Sequence, residues 1–285
     1  MKTGFFSILA AALLLFAGCT GDDPQTPQPP APEEGEIPVL PVDPQPDNTS
    51  FNHRIMLLQH TGTACPNCPR LMVSLRELAG DKDYADKYQH VASHSYNTDD
   101  PAYSKAASQI SGQSRAYPDL SFNLGAESTG NDTSLPTIKR YIDQLRKECA
   151  DVGIAAAANL SGNTVTVNVQ IKAAVDNNYR VTAWLLEDNI EAAQDGATAD
   201  WQHIHENALR AFSGSSLNMG VYGERLGDVK AGETVEKVLT IAVEEGWKAD
   251  DCKVLVIANS SADGRYDLAN CAICPIGGTV NYDYK

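Results

Sequence analysis

The sequence predicts two folded domains, an α/β unit followed by an all-β sandwich, carried behind an export leader. Three observations predict it. In the first half, a short continuous apolar run at residues 55–58 is followed by an amphipathic stripe at Leu71, Met72, Leu75 and Leu78, the texture of a buried strand feeding a helix. In the second half, residues 164–171 alternate strictly, with Val165, Val167, Val169 and Ile171 on one face, as a half-buried strand does. Turn signals at Gly162-Asn163, Asp176-Asn177-Asn178, Ala231-Gly232 and Asp263-Gly264 separate further strand-like runs, the pattern of an antiparallel, immunoglobulin-like sandwich.

The chain opens with Lys2, an apolar run over residues 5–17, then Gly18-Cys19. A charged start, a run too short to span a bilayer and small residues before the cut form an export signal. The Cys directly after Ala17-Gly18 resembles a bacterial lipoprotein signal, which implies cleavage after residue 18 and a lipid on Cys19. Residues 19–50 are Pro-rich, lack an aromatic residue and show no period, so they read as a disordered tether. Asp22-Asp23 resembles the acidic signal that sends some lipoproteins to the cell surface, so surface exposure is expected, with the periplasmic face of the outer membrane as the alternative. The formal net charge of −15 and the lack of any Lys/Arg cluster argue against nucleic acid as a partner.

Within residues 51–151, Thr61-Gly62-Thr63 is a turn and Pro69 is tolerable in the following helix only within its first turn. Cys65 and Cys68 therefore fall where a strand meets a helix N-terminus. Unpaired N–H groups there stabilise a thiolate. Cys65 is the candidate nucleophile and Cys68 the resolving thiol of a dithiol exchange reaction. Residues 90–96 read as a second strand and 103–110 as a short helix. Residues 117–122 read as a third strand opened by Tyr117-Pro118. Leu135, Ile138, Ile142, Leu145 and Cys149 mark a last helix closed by Gly153.

This region resembles the thioredoxin-like fold, whose CxxC follows the first core strand and faces a cis-proline loop. The resemblance makes Pro118 the candidate cis-proline. Thr63-Ala64 stand where that family's active members carry Trp. Other readings of the pair stay open: a closed structural disulfide, or a zinc site shared with the second CxxC at Cys271 and Cys274. The separation of the two pairs in sequence argues against zinc, and no metal or other cofactor is expected.

With Cys19 lipidated, Cys65, Cys68, Cys149, Cys252, Cys271 and Cys274 remain, an even count suited to disulfides in an oxidising compartment. A hairpin centred near Asp263-Gly264 favours Cys252 with Cys274, leaving Cys149 for Cys271. The stretch 201–214 contains His205, Asn207 and Arg210. With the leader, the CxxC and the alternating C-terminal half, it resembles the outer-membrane-protein-28-related lipoproteins. That resemblance implies a thioredoxin-like domain over residues 51–151 and a β-sandwich over residues 152–285. The expected function is a lipid-anchored outer-membrane protein that holds a protein or glycan partner at the envelope. The alternative is a periplasmic or surface thiol–disulfide oxidoreductase.

Overall fold

The computed structural model describes residues 36–125, 127–262 and 264–285. The leader and Cys19 lie outside the described residues. Among the described residues no helix is long and apolar enough to cross a membrane.

The N-terminal half forms β1 (Ile55–Thr61), α1 (Pro69–Gly80), β2 (Tyr88–His94), α2 (Lys105–Ile110), β3 (Asp119–Phe122), β4 (Glu127–Ser128) and α3 (Leu135–Leu145). The C-terminal half forms β5 (Val152–Ser161), β6 (Thr164–Ala173), β7 (Asn177–Glu187), β8 (Ile190–Glu191), β9 (Ile204–His205), β10 (Ala208–Phe212), α4 (Leu217–Tyr222), β11 (Glu224–Val229), β12 (Thr234–Ala242), β13 (Cys252–Ala262), β14 (Arg265–Pro275) and β15 (Gly278–Val280).

The expected fold class is corrected by how these strands pair. The molecule is mostly β, and one mixed sheet runs through both halves in the order β14-β13-β7-β10-β2-β1-β3-β4, with β11 on β7. The join is the parallel contact of β10 with β2, where Ala208 stands beside Ala92 and the Ala92 N–H donates to the Asn207 carbonyl at 2.8 Å. The N-terminal strands therefore do not close into a separate thioredoxin-like α/β domain. The sandwich expectation fits in part: a second sheet, β12-β6-β5-β15, packs against the C-terminal strands of the large one.

Burial on both faces explains the apolar runs. Ile55 and Leu57 of β1 meet Leu71, Leu75 and Leu78 of α1 and Ile138 and Ile142 of α3. Met56 and Leu58 face the opposite core, with Trp184, Leu186 and Leu255. The alternating valines of β6 meet Val181, Leu185, Val254 and Val256 across the sandwich. Roughly 25 cal/mol per Å² of apolar surface removed from water drives this stacking.

Three local differences from the sequence reading have physical causes. The last N-terminal helix stops at Leu145, because Arg146 turns to extended backbone and Lys147 N–H donates to His53 Nδ1 at 2.8 Å. Gly153 is no helix terminator: it sits in β5, where a Cβ would come within 2.3 Å of the Phe51 ring. From Glu36 onward the tether lies on the polar face of the small sheet. Asn168 Nδ2 donates to the Pro38 carbonyl, and Lys172 Nζ donates to the Gln45 and Pro46 carbonyls and to Tyr284 Oη while pairing with Asp43.

Candidate functional site

β1 delivers the chain to the CxxC. Cys65 N–H donates to the Gly62 carbonyl and Cys68 N–H to the Cys65 carbonyl, a tight turn that leads into α1 with Cys68 as its N-cap and Pro69 first in the helix. Cys65 and Cys68 are joined as a disulfide. Their exposures are 1% and 0%, while Pro66 and Asn67 between them are exposed.

The loop between β8 and β9 packs on the turn that carries the pair. Gln194, itself buried, points its amide Nε2 at the carbonyls of Cys65 (3.0 Å), Thr63 (3.1 Å) and Gly62 (3.3 Å). Asp195 N–H donates to the Thr63 carbonyl at 2.8 Å. Gly196 has φ +71, and a Cβ there would come within 2.2 Å of the Pro66 carbonyl oxygen, so only glycine allows this approach. Gln202 completes the cover. Its Oε1 accepts from Thr198 and Ala199 N–H, and its Nε2 donates to the Pro69 carbonyl.

The turn is braced on its other side by residues 97–102. Asp100 accepts from Thr63 N–H, His94 Nδ1 and Ala102 N–H, each at 2.8 Å. Burial alone would raise the Asp100 carboxyl, but these hydrogen bonds and the nearby His94 outweigh it and hold the group at about 2. Arg210 ties the same segment to the sheet, donating from Nε to Glu187 at 2.7 Å and from Nη1 to the Pro101 and Tyr103 carbonyls.

The Tyr117–Pro118 peptide is cis. β3 follows it, with Asp119 opposite His60 of β1, so Pro118 stands beside the end of β1 that leads to Cys65. His60 bonds Ser121 at 2.9 Å, and His94 bonds Asp100.

Next to the disulfide cover, a cavity of about 380 Å³ opens between α1, β1, β2 and the segment 201–207. His90 forms part of its floor. Asn207 Nδ2 donates to His90 Nδ1 at 3.2 Å, and His90 Nε2 donates to Gln59 Oε1 at 3.0 Å, which defines a neutral imidazole. Burial first, then the Lys253 charge, pushes His90 down to about 4. His205 is likewise pushed to about 4, by burial and then by His94, and its ring meets His94 edge-on at 4.8 Å. The Arg76 guanidinium lies 4.4 Å from the Trp201 ring centre at the mouth.

Cys149, Cys252, Cys271 and Cys274 are free thiols, so the two expected bridges are not formed. The β13–β14 register sets Val254, not Cys252, opposite Cys274. Cys271 and Cys274, three apart on a strand, point into different cores, since strand side chains alternate between faces. The same alternation prevents the second CxxC from acting as a chelating pair. Cys149 lies 3.4 Å from Ser50 Oγ. Burial pushes the Cys252 and Cys271 thiols up to about 12 and Cys274 up to about 11. Among the described residues no group of three or more His, Cys, Asp or Glu is placed to hold a metal ion.

The sequence reading missed Gln194, Gly196 and Gln202. The signal for them was the Asp195-Gly196 turn dipeptide, which marks a loop but not what the loop covers. The stretch around His205, Asn207 and Arg210 acquires distinct roles: His205 lines the cavity, Asn207 joins β10 to β2 and to His90, and Arg210 braces the turn.

The chain is similar in fold to HBP35 of Porphyromonas gingivalis, with 14% identity, a TM-score of 0.66, and coverage of 81% of this chain and 77% of that one. A domain of the outer membrane lipoprotein Omp28 from Porphyromonas gingivalis matches with 18% identity over 45% of this chain and 88% of that one, at a TM-score of 0.30. No curated protein matches the chain. The family model of outer membrane protein Omp28 matches residues 109–269. That span covers more than half of the sequence, from the end of α2 through the disulfide cover and the Arg210 brace into β14, and the chain therefore belongs to the Omp28 outer membrane protein family.

Proposed function

We propose that this protein is anchored to the outer membrane by a lipid on Cys19 and holds a protein or glycan partner at the envelope, with Cys65–Cys68 as a structural bond. The observation that carries the second part is the cover on the disulfide. Thiol exchange requires a thiolate to approach a sulfur along the S–S axis. The Gln194 amide and the Gly196 backbone stand over the turn that carries those sulfurs, so any exchange partner must first displace the loop. The outer-membrane family supports the location. Asp22-Asp23 supports display at the cell surface.

One observation favours the oxidoreductase alternative: Cys68 caps α1 and Cys65 precedes it, where helix N–H groups stabilise a thiolate once the bond is open. Insulin reduction with dithiothreitol separates the two readings. The structural reading expects turbidity to develop at the background rate for wild type and Cys65→Ser alike. Turnover above background that disappears in Cys65→Ser would instead establish dithiol chemistry. Fractionation tests the anchor: Cys19→Ser should move the protein to the soluble fraction and abolish acyl-chain labelling. Persistent membrane association with unchanged labelling would refute it.

A further inference from the structure

We infer that the cavity beside the disulfide cover is a binding site for a small uncharged ligand with an aromatic body and a hydrogen-bonding end. The inference goes beyond the anchor-and-partner reading and does not depend on the redox state of the cysteines. At about 380 Å³ the space suits a compact organic molecule, and it has the mixed lining of such sites: apolar walls with a few convergent polar groups.

The walls set the body of the ligand. Met72, Leu75 and Ala79 line one side from α1, and Trp201 and Ile204 line the other. Indole and thioether surfaces favour an aromatic partner over an aliphatic one. The side chains that form these walls are held independently of a ligand. Leu75 is rooted in the α1–β1 core. Trp201 is carried on the turn that Gln202 fastens to Pro69 and is stacked by Arg76.

The floor sets the polar end. His90 is committed on both ring nitrogens, to Gln59 and Asn207. Asp100 takes Nδ1 of His94 and the Ala192 carbonyl takes Nε2 of His205. One ring nitrogen of each of these two neighbouring histidines is thus left to meet a donor or acceptor on a ligand. Burial keeps His90 and His205 neutral at ordinary pH, and burial and then Asp188 push the Glu206 carboxyl up. His94 is taken up by Asp100 and Arg76 lies on the Trp201 ring, so the polar end offers a carboxylate no unpartnered cation. A cation would be desolvated against the apolar walls. A neutral group such as an amide or hydroxyl fits both constraints.

The test is a fluorine NMR titration of the purified full chain with 6-fluoro-2-naphthamide, which has a flat apolar body and an uncharged amide. Ala79→Trp and Met72→Trp each place a bulky ring in the cavity from an α1 position that is not in the buried core. Wild type should bind saturably at one site, and each variant that keeps the wild-type melting temperature should bind at least tenfold more weakly. Equal affinity in wild type and a folded variant would overturn the site, as would the absence of saturable binding to wild type. The insulin assay reads the disulfide and this titration does not, so the two readings fail separately.

Discussion

The side-chain amide of Gln194 lies 3.0 Å from the main-chain carbonyl of Cys65, across 129 residues of sequence. One buried side chain thus serves three carbonyls of the turn that carries the disulfide. It joins the β8–β9 loop to the start of α1.

Gln194→Ala should remove the side-chain donor from the Gly62, Thr63 and Cys65 carbonyls, each of which keeps one backbone N–H, a loss of about 0.5–1.5 kcal/mol. For a chain of this size that lowers the melting temperature by several degrees. The disulfide should also be reduced faster by dithiothreitol, because the loop opens more often. Gly196→Ala should act in the same direction, since its φ of +71 and the Pro66 carbonyl both exclude a side chain. Thiol titration against time reads the rate. A reduction rate equal to wild type in both variants would show that the loop does not protect the bond.

Acid should destabilise the fold well above the carboxylate range. His53, His60, His90 and His205 are each held near 4 in the folded chain, burial being the largest cause in every case. Unfolded histidine titrates near 6.5. Between those values the unfolded chain binds more protons, so stability is present above about pH 6.5 and is lost as pH falls toward about 4. Each histidine contributes a slope of at most about 1.4 kcal/mol per pH unit in that window. Asp100, held at about 2, adds a further loss only as pH falls from about 4 toward 2. Urea melts at half-unit pH steps measure the slope. A flat profile between pH 6.5 and 4.5 would contradict the buried neutral histidines.

Lys172→Met should release the strap formed by residues 36–48. Lys172 is 1% exposed and meets Asp43, two carbonyls and Tyr284. Burial alone would lower its pKa, but Asp43 and Tyr284 more than offset this and raise it, so the residue stays a cation. Removing it leaves those acceptors without their donor, at about 1–3 kcal/mol. Limited proteolysis should then cut within 36–48 in the folded protein. The exposed pair Lys230–Asp176 provides the comparison: Lys230→Met should leave the denaturation midpoint unchanged. Equal protease resistance of Lys172→Met and wild type would mean the strap is held by other contacts.

Arg210→Met should be the most costly of these changes. It leaves Glu187, 2% exposed, without its cation, and the Pro101 and Tyr103 carbonyls without a donor. Stripping one partner from a buried pair costs about 3–5 kcal/mol. Arg210→Lys keeps the charge but not the fork of N–H groups and should recover only part of that loss. A chemical melt of the two variants ranks them, and equal stability would exclude the fork as the reason for arginine.

Local elements were legible along the chain wherever a run was long and one face was buried. The 55–58 run, the stripe at Leu71, Leu75 and Leu78, and the alternation from Val165 to Ile171 each carry their own period, because strand and helix geometry repeat along the chain. The place of the CxxC at a strand-to-helix turn was legible for the same reason, with Pro69 confining the helix start. The family could be read as well, from motifs that lie within single segments.

How those elements join depends on contacts between distant parts of the chain. β2 meets β10 through Ala92 and Ala208, two small residues with no local signature, and that contact turns two expected folds into one sheet. Gln194 reaches Cys65 from the opposite half of the chain, and a glutamine in a loop carries no mark of what it will cover. The strap looks unstructured from its prolines, yet its carbonyls find Lys172 on the polar face of β6. The cysteines behaved alike: even in number, they suggested bridges, but strand register sends Cys271 and Cys274 to opposite faces. Pairings of this kind depend on distances in space, which periodicity along a chain does not encode.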